Sequence, residues 1–248
     1  MIFAIAMTLV LGSLLAFVSE GLKEKQQAER EFERKKFILG AALGSENIDQ
    51  IIKKNKDDVN TIYASRVKDF VVDLDGKTIP DLGAVDVIVL KEYKKLQRNG
   101  DDQMEEKDGQ NCRLPVYTIA KEGSDDVEFY VLPIYGFGLW DNIWGYLAVQ
   151  SDFNTVQGVI FDHKGETPGL GARITEREVQ NRYRGKKLYE DGGALASVVM
   201  QKGEGADYSS EPHKVNGLTG ATITGVGLNI MVKDYVILYS NYLNSLKK

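Results

Sequence analysis

An α+β chain is predicted, with an N-terminal transmembrane helix followed by a single soluble domain of mainly antiparallel sheet and a long C-terminal helix. Three observations carry this expectation. The first eighteen residues, MIFAIAMTLVLGSLLAFV, hold no charge; apolar runs between residues 84 and 162 are separated by short polar turns; and apolar residues near the C-terminus recur at three- and four-residue steps. With 248 residues, 43% hydrophobic side chains and a net charge of −5, the chain is long enough for one core beyond the apolar segment. The acidic balance argues against nucleic acid, which needs a clustered excess of Lys and Arg, and turns attention to protein and lipid partners. A single cysteine, Cys112 in the polar stretch GQNCRLP, excludes an intrachain disulfide and a thiolate metal site, and reads as an incidental thiol.

The opening run extends about 27 Å as a helix, close to the hydrocarbon thickness of a bilayer. It lacks the cationic start, short apolar core and A-x-A site of a cleaved signal, so residues 1–20 read as a retained anchor. The run begins at residue 1 with no polar flank, which suggests that a natural segment precedes it. Residues 21–44 continue as a charged juxtamembrane helix, with spacings such as Glu31 to Lys35 predicting ion pairs. Between Ser19 and Phe37 stand six basic and five acidic residues, and a count of the basic ones alone places this flank in the cytoplasm.

From residue 45 to 248 the pattern is that of the soluble domain. SENIDQIIKKNK predicts a short helix capped by Ser or Asn. Strand-like runs follow at 84–90 (AVDVIVL), 115–120, 127–134, 142–150 and 156–162, and GSDD, GFGLWD, SDFN and DHKG are connections that join neighbouring antiparallel strands. Residues 97–111 are polar enough for an exposed, mobile insertion. Residues 175–184 read as helix, 194–200 as extended chain and 202–217 as a long loop.

The closing helix carries Leu228, Met231, Val232, Tyr235, Leu238, Tyr239, Tyr242 and Leu246 on one face, which should pack on the sheet. LTGATIT (218–224) therefore stands at its N-terminal end, where unpaired N–H groups and the helix dipole attract anions. On pattern alone two readings stay open: the threonines cap the helix, or one of them carries a group.

NGLTGAT resembles the flavinylation motif of the FMN-binding domain family, D-x-x-[ST]-G-A-[TS], with Asn216 in place of the first aspartate. GETPGLGARI (165–174) is similar to that family's E-T-P-G-L-G segment, a Pro-Gly turn flanked by Glu166 and Thr167. YGFGLWDNIWGYLAV (135–149) further resembles the family formed by the C subunits of sodium-translocating NADH:quinone oxidoreductases, in which a G-x-G-L-W segment precedes that loop. The related G subunit of Rnf-type ferredoxin:NAD oxidoreductases shares the first two motifs and is the alternative, together with a membrane-anchored module that binds a ligand noncovalently.

The resemblance implies FMN held by a phosphoester to Thr222, with Thr219, Gly220 and Ala221 around it. Leu139 and Trp140 would wall the ring, Leu170 would pack on it, Glu166 and Thr167 would meet its polar edge or ribityl hydroxyls, and Lys202 would offset phosphate charge. No catalytic or metal residue is implied. Threonine is a poor nucleophile unaided, His213 reads as a solvated loop histidine, and a separate flavin transferase using FAD is therefore expected. With no G-x-G-x-x-G fingerprint and no Ser-His-Asp arrangement, NADH oxidation belongs on another member of the complex. The family places the soluble domain on the periplasmic side of the bacterial inner membrane, against the basic-residue count. The implied role is an electron carrier between NADH and quinone, in an assembly whose electron flow is coupled to sodium export.

Overall fold

The computed structural model describes residues 1–99 and 103–246. Its first element is α1 (Ile2–Leu43), an unbroken helix of 42 residues and about 60 Å. Among the described residues this is the one helix long and apolar enough to cross a membrane. Phe3, Leu15 and Phe17 are exposed on its first half. From Phe32 onward the helix turns apolar side chains onto the protein, and Ile38, Leu39, Ala41 and Ala42 are buried.

Then follow α2 (Ser45–Lys54), α3 (Asp57–Arg66), β1 (Val67–Val72), β2 (Thr78–Ile79), α4 (Val89–Tyr93), β3 (Leu96–Asn99), β4 (Gln103–Glu106), β5 (Leu114–Ala120), β6 (Val127–Phe137), β7 (Asn142–Gln150) and β8 (Val156–His163). The chain ends through α5 (Arg177–Asn181), β9 (Val199–Met200), β10 (Lys214–Val215) and α6 (Thr222–Ser245). Six strands form one antiparallel sheet in the order β2-β1-β5-β6-β7-β8. One face packs on the end of α1 with α2 and α3, through Ile38, Ile48, Val59, Ile119 and Val131. The other packs on α6, through Val116, Leu132, Leu147, Met231 and Tyr235. Burial on both faces explains why β5 is buried at every position instead of alternating. Seven of the eight residues expected on the α6 face are buried, Tyr239 among them, and its hydroxyl donates to the Pro115 carbonyl at 2.7 Å. Leu246 lies at the C-cap and is exposed.

Several local expectations are corrected. AVDVIVL forms a 3-10 turn at Ala84–Asp86 followed by α4, not a strand. The Asp69 carboxylate accepts the Ala84 N–H at 2.7 Å and curls the chain, Val85 and Ile88 face solvent, and β1 occupies the sheet position beside β5. The supposed insertion is a docked hairpin of β3 and β4, with Leu96 buried; residues 100–102 lie outside the described residues. Gly44, not Ser45, is the N-cap of α2, and Asn47 donates back to the Leu43 carbonyl. Of residues 194–200 only Val199–Met200 is strand, since Ser197 takes a positive φ of 59°. Lys35 bonds Asn60 and lies over the Tyr63 ring instead of pairing with Glu31. Cys112 is buried despite its polar neighbours, and burial, aided by Glu92 and Glu106, pushes its thiol up to about 12.

The hairpin is held to α6 by an ion pair between Arg98 and the buried Asp234. Burial raises the Asp234 carboxyl above its ordinary range while Arg98 opposes the shift. Removing Arg98 strands a buried charge, and because Arg98 is itself partly exposed the cost falls below that of a fully buried pair. Arg98→Ala is expected to lower urea-unfolding stability by about 2–3 kcal/mol, with most of it regained in Arg98→Met/Asp234→Asn. A loss under about 0.5 kcal/mol would show that other contacts hold the hairpin.

Candidate functional site

Three loops meet at one end of the sheet. The register Phe137↔Asn142 closes the β6–β7 turn, and Ile143↔His163 sets the exit of β8 beside it. The first turn of α6 arrives over the same end, so the stretches around residues 138, 166 and 222 become neighbours.

Glu166 joins them. It is 4% exposed, its Oε1 accepts the Trp140 N–H at 2.9 Å, and its Oε2 accepts the Thr224 hydroxyl at 2.6 Å. Its own N–H donates to His163 Nδ1 at 3.2 Å. Two glycines make room: a Cβ on Gly138 would lie 2.4 Å from Glu166 Oε1, and one on Gly171 would lie 2.3 Å from Oε2. A carboxylate accepting two charge-assisted bonds in a buried setting is a strong clamp. Both oxygens are thus committed within the protein.

Between Glu166 and Gly171 the chain turns as its Pro-Gly pair requires. Leu170 and Ala172 donate to the Thr167 carbonyl, each at 3.1 Å, and Gly169 takes φ 75°. The turn leaves Thr167 exposed and brings Leu170 against Gly220, which itself has φ 77°.

At the head of α6 the N-cap is Ala221 and no side chain caps it, so the capping reading of the threonines does not hold. The first backbone bond of the helix runs from the Gly225 N–H to the Ala221 carbonyl, leaving the N–H groups of 222–224 ahead of the ladder. Thr222 and Thr219 are exposed, while Thr224 is 1% exposed and bound to Glu166. Of the two hydroxyls inside the first turn, that of Thr222 faces solvent.

Around it lies an apolar shelf. Trp140 is 68% exposed, Leu139 43% and Leu170 41%, and Ile223, Val226 and Ile230 continue it along α6. Clustered large apolar side chains left in water mark a surface that a ligand or partner covers. A flat, largely apolar ring with a phosphate tail fits this arrangement, since the shelf adjoins a helix N-terminus and an exposed hydroxyl.

The structure therefore brings Leu139, Trp140, Glu166, Thr167, Leu170, Thr219, Gly220, Ala221 and Thr222 together. Lys202 is exposed in the turn after β9, where its neighbour Gln201 lies against Gly217. His213 is half-buried, with Nδ1 2.8 Å from the Lys187 carbonyl, rather than a solvated loop residue. Asn216 accepts from Arg182 through its backbone carbonyl, and its side-chain oxygen is buried without a partner among the described residues. A neutral amide costs less in that position than a carboxylate. Sequence marks Gly171 as a place of close backbone approach and Thr224 as an alternative attachment point, while their contact with Glu166, and that of Gly138, are visible only in the fold.

Residues 138–236 match the FMN-binding domain family. The chain is 32% identical over 232 residues to the C subunit of the Na(+)-translocating NADH-quinone reductase of Haemophilus ducreyi, covering 91% of this chain and 84% of that protein. The corresponding protein of Pasteurella multocida is 32% identical over 218 residues, covering 87% and 80%. Among solved structures, the C subunit of the Parabacteroides distasonis enzyme superposes with a TM-score of 0.70 at 26% identity, covering 90% of this chain and 96% of that one. NqrC of Shewanella oneidensis gives 0.71 at 27% identity, covering 89% and 99%.

Glu166→Ala would strand the Trp140 and Thr224 donors, at roughly 1–3 kcal/mol each, measurable by urea unfolding. Gly171→Ala is expected to destabilise through the same carboxylate, because its Cβ would also stand 2.6 Å from Thr224 Oγ1. Glu166→Ala with wild-type stability would mean that the clamp carries no weight.

Proposed function

The chain belongs to the family of C subunits of Na(+)-translocating NADH-quinone reductases, and from that premise we propose that it is the membrane-anchored electron carrier of such a complex, with FMN esterified through its phosphate to Thr222. The observation that carries the reading is the exposed Thr222 hydroxyl at the head of α6, bordered by free N–H groups and the exposed apolar shelf.

FMN, when bound, supplies one- and two-electron redox chemistry; this chain supplies its seat. The N–H groups of the first α6 turn and the helix dipole hold the negative charge that a phosphodiester retains. Thr219, Gly220 and Ala221 shape the turn that lets a bulky anion approach. Leu139, Trp140 and Leu170 shield one side of the ring from water, Thr167 offers its hydroxyl to the polar edge, Glu166 fixes the seat from behind, and Lys202 adds positive potential. Covalent attachment keeps the carrier loaded outside the cytoplasm, where a dissociated cofactor would be diluted away.

Thr222 has no base assigned to activate it. Glu166 is committed to Thr224 and Trp140, and His213 to the Lys187 carbonyl. A separate flavin transferase is therefore part of the proposal: it would break the pyrophosphate bond of FAD, join the FMN phosphate to the Thr222 oxygen and release AMP together with the hydroxyl proton. So are the other subunits as electron donor, electron acceptor and sodium path. The division into an anchor at 1–20, a juxtamembrane helix at 21–44 and an FMN domain at 45–248 follows the same reading, with the domain on the periplasmic side of a bacterial inner membrane and lipid around the anchor. The continuity of α1 supports a stiff connection between anchor and domain, whose core already includes Phe32 and Ile38.

Expressed with a flavin transferase and then denatured, the chain is expected to show flavin fluorescence in the gel under ultraviolet light. Thr222→Ala should abolish it. A band that survives the substitution would place the attachment elsewhere, and a wild-type band without fluorescence would leave a noncovalent module.

A further inference from the structure

Three residues before the proposed attachment point, the Thr219 backbone N–H is the least of the groups that hold down the carboxyl of Glu204, a residue in the loop between β9 and β10. That carboxylate also receives Arg173 through both terminal nitrogens, at 2.9 and 3.1 Å, and Arg182 at 2.9 Å. Arg182 in turn donates to the carbonyls of Asn216 and Gly217, at 3.2 and 2.7 Å. Arg173 sits in the 3-10 turn Gly171–Thr175 that completes the Pro-Gly loop, and Arg182 follows α5. One carboxylate thus ties three separate segments to the backbone of residues 216–219. The three side chains are a quarter exposed or less, a setting in which such a network outweighs an ordinary surface ion pair.

We propose that Glu204 is a positioning residue for the flavin-acceptor loop: with Arg173 and Arg182 it fixes the backbone of 216–219 so that the Thr222 hydroxyl is presented to the transferase in one conformation. This rests on the covalent reading above and adds to it the residue that holds the acceptor in register. The bonds from Arg173, and then the one from Arg182, hold the Glu204 carboxyl down at about 2. Its folded value lies below that of a free glutamate, so its stabilisation is complete above the ordinary carboxylate range and is lost progressively as pH falls from there through about 2. The anchor is therefore in force throughout the physiological range. Backbone fixed before the encounter spares the ordering cost at the moment of reaction.

The test uses the full chain with transferase and FAD, comparing wild type, Glu204→Gln, Glu204→Asp and Arg173→Gln. Read together are the melting temperature, amide exchange at Thr219 and the initial rate of covalent flavin incorporation. For Glu204→Gln the expected result is a melting temperature within a few degrees of wild type, exchange at Thr219 faster by about tenfold or more, and incorporation slowed by about tenfold. Incorporation should still approach one flavin per chain at long times, because the acceptor hydroxyl remains. Glu204→Asp should recover part of the rate. If Glu204→Gln does not fold, Arg173→Gln, which removes two of the bonds to the Glu204 carboxylate and leaves that from Arg182, must show the same pairing of faster exchange and slower incorporation. Wild-type incorporation in a folded Glu204→Gln, or slowing without faster exchange at Thr219, overturns the proposal. A wild-type chain that never takes flavin overturns the covalent reading itself and this proposal with it.

Discussion

The Glu166 carboxylate is the constraint on which the site depends. It is a buried charge whose two oxygens are spent on a backbone N–H from the β6–β7 turn and a hydroxyl from the first turn of α6. Strands β6, β7 and β8 bring two of the three loops to one end of the sheet by register alone, and the bond between Thr224 and Glu166 adds to the packing of α6 on the sheet to tie the third to them. The small residues at 138 and 171 follow from it, since any Cβ there would intrude on the carboxylate. The same bond sorts the threonines of the α6 head. Thr224 is used internally, and Thr222 is left facing solvent beside the apolar shelf.

Much of the fold could be read from sequence, because periodicity is a local property that survives packing. The run of β5 to β8, the amphipathic face of α6 and the long apolar stretch of α1 all carry enough repeats to stand alone. What failed was decided by partners distant in sequence. AVDVIVL has the composition of a strand, yet Asp69 captures Ala84 and β1 takes the place beside β5. Residues 97–111 look like solvent-exposed loop because the anchoring charge of Arg98 is matched by Asp234, more than a hundred residues away. The α3 helix and β1 carry no pattern strong enough to announce them.

The candidate site divides in the same way. Its outer residues, Leu139, Trp140, Thr167, Leu170 and Thr222, stand in short motifs that a resemblance can carry over, and the structure brings them together. Its supports do not. Glu204 lies in a glycine-flanked polar loop with nothing in its neighbourhood to distinguish it from surface charge. Glu166 was visible as a motif residue, but its orientation into the protein, away from open solvent, follows from Thr224 and Trp140 reaching it from other segments.

The most direct test of this arrangement is mass spectrometry of the tryptic peptide spanning residues 215–233, taken from protein matured in its native host. Expected is a peptide heavier by one FMN less one water, with fragment ions placing the adduct on Thr222 and leaving Thr224 unmodified. An unmodified peptide, or an adduct on Thr224 that would require the Glu166 clamp to open, would contradict it.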